Sequence, residues 1–179
     1  MKRLFSLVVL LASILSANLA QAGNKPWAYI QDATKRFVVL PEFYDQAVLD
    51  RATGLIWTKA PRGGSFEWTQ AVEGCLSSSV GAITNGRLGI GGWRLPEAHE
   101  LLSLTEFRIS CGNGNCGANF QLPQGHPFEF ETNETTFWSA TPALELTASN
   151  EEGAFIVDVG FGAVNAPRTE EFPVWCVRG

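Results

Sequence analysis

Only two histidines, His99 and His126, occur in 179 residues. Neither has a metal-ligand spacing or a nucleophile motif around it, so nothing signals histidine-based metal or acyl-transfer chemistry. After residue 22 no apolar run approaches the about 18 residues of a membrane helix, and no lipobox cysteine is present, which argues against membrane insertion. There is no Lys/Arg run, internal repeat, heptad or low-complexity tract, which sets aside basic tails, solenoids and coiled coils. The adjacent pairs Glu151-Glu152 and Glu170-Glu171 read as solvated and give no glycosidase geometry.

What is present begins with a leader. Lys2 and Arg3, the apolar run at 4–15 and the Ala20-Gln21-Ala22 exit predict a signal peptide over residues 1–22. The expected product is periplasmic or extracellular. Its loss changes the balance from 13 basic against 18 acidic residues to 11 against 18, a net charge of −7. An acidic surface disfavours nucleic acid as a partner. The remaining 157 residues make one domain, large enough to bury roughly two-thirds of its unfolded surface.

All four cysteines, Cys75, Cys111, Cys116 and Cys176, fall in the exported part, which favours two disulfides. Three connectivities are open. The flexible Gly-Asn-Gly-Asn between Cys111 and Cys116 favours a short bridge there, leaving Cys75 with Cys176. In the chain-entropy account the long bridge would stabilise by about 4–5 kcal/mol and the short one by about half that.

Residues 23–36 read as a polar lead-in to a domain over 37–179. Strands are predicted at 37–40, at 47–50 and 55–58 as a hairpin, and at 136–140, 154–159 and 173–178, with turns at 61–64 and 160–163. Helical spacing predicts one helix over 66–77, capped by Ser65 or Thr69, and a second opened by Pro96 with Glu97 and Glu100 at its positive end. Residues 105–136 show no sustained period and read as a long irregular loop. The plan is α+β.

The ordered stretches VLDRATGLIWTK (48–59), EWTQAVEGC (67–75), GGWRLPEAHELLSL (91–104), FWSAT (137–141) and VWCVR (174–178) together resemble the Lcl-type C-terminal domain of collagen-like adhesins, over roughly 37–178. That family is similar to C-type lectins. The resemblance implies a small twisted antiparallel sheet closed by the terminal strands, two helices, a long loop, and a helix cysteine tied to the last strand, here Cys75 to Cys176. It also implies an exported bacterial module or adhesin tip. The sulfated glycosaminoglycans bound by the collagen-like adhesin are not carried over, because this chain is acidic and has no collagen-like stalk. The E-P-N, Q-P-D and W-N-D signatures of calcium-dependent sugar binding are also missing.

Within WRLP, Trp93 is expected in the core and Arg94 to pair with Glu97, Glu100 or a carboxylate of the terminal strands; with Pro96 these are structural residues. Trp57, Trp68, Trp138 and Trp175 are expected in the core as well. The ligand-binding candidates are Phe120, Phe128 and Phe130, for stacking, and Glu129, Glu131 and Asn133 beside them. With Glu134 the last three form hard oxygen donors of the type calcium takes, at a spacing that matches no calcium loop, so no metal or cofactor is assigned. The expected function is a secreted, non-enzymatic binding or adhesion module for a glycan or protein ligand. The alternatives are a structural subunit of a surface assembly and, more remotely, an oxidase of the formylglycine-generating type, which needs a reactive thiol. Thiol titration under denaturing, non-reducing conditions is expected to find none; a free thiol would return the oxidase to consideration.

Overall fold

The computed structural model describes residues 30, 32–78, 90–112, 115–129, 135–144 and 152–179, with backbone only at 107–112 and 115–120. The leader expected at 1–22 lies outside them, and among the described residues no helix is long and apolar enough to cross a membrane. Strands β1 (Phe37–Val39), β2 (Ala47–Asp50), β3 (Ile56–Thr58) and β11 (Val177–Arg178) form an antiparallel sheet in the order β1-β2-β3-β11. The first and last strands are therefore its two edges. Gly54 takes the left-handed φ of +82° in the β2–β3 turn, and the Asp50 carboxylate closes that turn by accepting from Ala52 N and Thr53 Oγ1.

The chain is mixed helix and antiparallel sheet as expected, with three α-helices and four small sheets among the described residues in place of one sheet and two helices. Helix α1 (Ala33–Arg36) lies in the expected lead-in, yet Ala33 and Arg36 are buried, so the end of that segment belongs to the core. Strand β4 (Arg62–Phe66) replaces the turn expected at 61–64, because pairing with β10 (Phe172–Val174) overrides the weak strand propensity of Gly63 and Gly64. The strand expected at 173–178 is split: the register slips between Pro173 and Val174, pairing with β4 ends at Val174, and β11 joins β3 instead. Strands β7 (Thr136–Pro142), β8 (Gly153–Asp158) and β9 (Gly162–Pro167) form a third sheet, with β9 beginning inside the expected turn at 160–163.

The largest correction concerns 105–136. Strands β5 (Glu106–Gly112) and β6 (Asn115–Gln121) pair over their full seven-residue lengths, so the described irregular stretch shrinks to residues 122–129. The ladder consumes most of CGNGNC, since Gly112 already faces Asn115 and Cys111 faces Cys116. The side chains of both cysteines lie outside the described residues.

Helix α2 (Trp68–Leu76) starts from a capping box of Glu67 and Gln70, and helix α3 (Ala98–Ser103) from one of Glu97 and Glu100. Ser65 cannot cap α2 because it sits in the β4 ladder opposite Pro173; Thr69 is already inside the helix. Pro96 precedes the cap of α3 rather than opening the helix.

Two apolar clusters form. One holds Ala47, Cys75, Trp93, Trp138 and Ile156; the other holds Val48, Trp57, Leu101, Phe137 and Val157. The chain at 174–177 alternates between them, with Val174 and Cys176 in the first, Trp175 and Val177 in the second. Period-two alternation with both faces buried explains why this stretch reads as uniformly apolar. Cys176 is bonded to Cys75 of α2, 101 residues away, and no free cysteine occurs among the described residues. Indole N–H groups act as ties: Trp68 donates to Ser139 O, Trp93 to Ile90 O, Trp138 to Phe66 O and Trp175 to Thr58 O.

Under the second cluster lies a buried ion pair. Arg36 Nε and Nη2 donate to Asp50 Oδ1 and Oδ2 at 2.9 and 2.8 Å, and Nη2 also donates to Ser103 O. Asp50 is fully buried, and its oxygens are satisfied by the arginine and by the turn. Asp50→Ala is expected to lower stability by about 3–5 kcal/mol in urea unfolding, because it strands the arginine. Arg36→Met with Asp50→Leu should cost clearly less than the single change; equal losses would refute the account.

Candidate functional site

Arg94 is where the chain ends meet. Its backbone exchanges hydrogen bonds with Val177 of β11, N to O at 2.8 Å and O from N at 2.9 Å. Its guanidinium grips Glu100 bidentately, Nη1 to Oε2 at 2.7 Å and Nη2 to Oε1 at 2.6 Å. Glu100 Oε2 also accepts from the Glu97 N–H, so one carboxylate caps α3 and anchors the closing strand. The charge inside WRLP is thus paired within the scaffold, with the glutamate of α3. Hydrogen bonding to Glu100 raises the Arg94 pKa further. Burial pushes the Glu100 carboxyl up, but Arg94 and the Glu97 N–H outweigh it and hold the group below its ordinary value.

A cleft of about 500 Å³ opens elsewhere, over the Cys176 end of the disulfide. Asp45, Thr58, Lys59, Arg62, Ser78 and Glu129 are among its lining residues. Lys59 is fixed from both sides, its N–H donating to Gln46 O and its carbonyl accepting from Glu129 N. Its ammonium meets Glu129 Oε1 at 2.6 Å. Asp45 in the lining and Tyr44 before it are consecutive non-glycine residues in the left-handed region, with φ of 59° and 57°. Two such residues in sequence store backbone strain of the sort that gathers at binding sites.

Of the ligand candidates, Glu129 is exposed and lies in this cleft. Phe128 does not belong there: it is buried at 6 % exposure between Phe37 and Trp175, with ring centroids at 5.0 and 4.9 Å, because the second cluster needs its ring. Phe130, Glu131 and Asn133 lie outside the described residues, as does the side chain of Phe120. Among the described residues no group of three His, Cys, Asp or Glu side chains can hold a metal. His99 is exposed on α3, whereas His126 packs against Phe128 and burial lowers its pKa.

The residues that sequence reasoning missed are Asp45, Lys59 and Arg62. The cleft is assembled from separate segments, so no local motif marks it. One signal was available: Gly74 inside α2, at a cost of about 1 kcal/mol against alanine. A Cβ there would collide with the Arg62 guanidinium, which lies across that turn and stacks on Phe66 with Cζ 4.9 Å from the ring centroid.

Residues 46–178 match the Lcl C-terminal domain family. The chain belongs to this family. The Lcl match takes in the cleft residues Lys59, Arg62 and Glu129 and the Arg94–Glu100 pair, but leaves Arg36 outside while including its partner Asp50. No solved structure and no curated protein matches the chain.

Because the Glu100 pKa is lower folded than unfolded, the unfolded state takes up the proton first. The stability from this group is fully present above its ordinary value of 4.5 and is lost as pH falls through the folded value. Thermal unfolding of Glu100→Gln should show a shallower acid decline below about pH 4.5 than the parent; parallel declines would show that Glu100 is not the titrating group.

Proposed function

We propose that this Lcl-family domain is an exported, non-enzymatic recognition module on a C-type-lectin-like scaffold, binding a glycan or protein ligand at the cleft around Glu129. The observation that carries the reading is the cleft itself. A lysine immobilised by two backbone hydrogen bonds is paired at 2.6 Å with the exposed Glu129 carboxylate in the wall of an open cleft, on a scaffold closed by a disulfide. The C-type-lectin-like reading is supported by first and last strands in one sheet and by the helix-to-last-segment disulfide. The irregular stretch after β6 delivers Glu129, in keeping with binding residues being carried on loops.

A second reading, a subunit of a surface assembly, is favoured by one observation: Phe161, Leu144 and Val164 are 87 %, 100 % and 57 % exposed around β9. Glycan and peptide arrays probed with the parent and with Lys59→Ala/Glu129→Ala should show a ligand that only the parent binds, with both proteins unfolding at similar temperatures. Arrays without such a ligand, together with a stable oligomer in size-exclusion chromatography, would replace the first reading by the second.

A further inference from the structure

The cations in the cleft are not equivalent. Lys59 is committed to Glu129, whereas Arg62 makes no ion pair among the described residues. Its guanidinium is nevertheless held in place, stacked on the Phe66 ring and seated over Gly74. A planar fork of donors, oriented by packing and not consumed by a protein acceptor, is prepared for a bidentate oxyanion, above all a carboxylate. Across the same cleft Asp45 and Glu129 offer acceptors, so the whole site carries both signs.

The other lining groups separate a peptide from a sugar. Among the described residues no aromatic side chain lines the cleft, so none of them offers a pyranose ring a stacking platform there. Strand β4, of which Arg62 alone lines the cleft, pairs only with β10 among the described residues, so next to the cleft the exposed residues 63–65 have a second, unpaired ladder edge. Peptide N–H and C=O groups can use such an edge, and sugar hydroxyls cannot continue it. Resting on the recognition reading above, we propose that the cleft binds a short peptide segment by its carboxylate, which Arg62 clamps.

The test is an amide-resolved NMR titration of the isotope-labelled protein with acetyl-triglycine, its uncharged C-terminal amide, and glucuronate. Acetyl-triglycine is expected to shift the Lys59, Arg62 and Glu129 amides with a dissociation constant of about 1–10 mM, and the amide should not at equal concentration. Arg62→Gln should weaken binding by at least about tenfold. Gly74→Ala should do the same without lowering the unfolding temperature much, since only the flexible end of Arg62 must move. Equal shifts by acid and amide, wild-type affinity in Arg62→Gln, or shifts with glucuronate alone would overturn the proposal. If no probe binds while the arrays give a cleft-dependent ligand, the peptide inference fails and the recognition reading stands; if the arrays are blank as well, both fail.

Discussion

The stretch at 174–177 is the constraint on which the rest depends. Its side chains enter two cores by turns, its carbonyls receive Thr58 and Arg94, and its cysteine is bonded to α2. Displacing it would open both clusters at once. The disulfide contributes by limiting the unfolded chain, roughly 4–5 kcal/mol for a loop of about 100 residues in the chain-entropy account.

Two charge pairs surround this segment and act differently from the apolar contacts. Arg36–Asp50 holds α1 to the β2–β3 turn, and Arg94–Glu100 holds the closing strand to α3. Compared with well-packed apolar replacements, such pairs add little net stability. Their effect is selective: any arrangement that parts the partners leaves a buried charge without compensation. Apolar surfaces tolerate several packings, and these pairs admit one.

The scaffold was legible where a residue type has one good use. The hairpin over 47–58, Glu97 and Glu100 at a helix start, and an arginine beside a core tryptophan with glutamates three and six residues on each pointed to the observed geometry. The reading failed where pairing across the chain overrides local preference. Phe107, Ile109 and Cys111 face Phe120, Ala118 and Cys116 in the β5–β6 ladder, but the alternation is short and broken by glycines and asparagines, so no sustained period marks it in the sequence. Pro173 hid a change of sheet, and Gly63-Gly64 hid a strand. Of the ligand candidates, Glu129 reached the cleft because its backbone is bonded to Lys59, while Phe128 followed its hydrophobicity inward. Arg62 left no trace except a glycine in a helix.

The order of strands along the chain also sets a schedule for folding. Strand β3 waits for β11, which lies roughly 120 residues later, so its outer edge and both cores stay open until those residues exist. At about 5–20 residues per second of synthesis, that interval is on the order of ten seconds. Throughout it the nascent chain presents a β ribbon with one unpaired edge and an unbonded Cys75, and both clusters gain their shared wall only when Trp175, Cys176 and Val177 arrive.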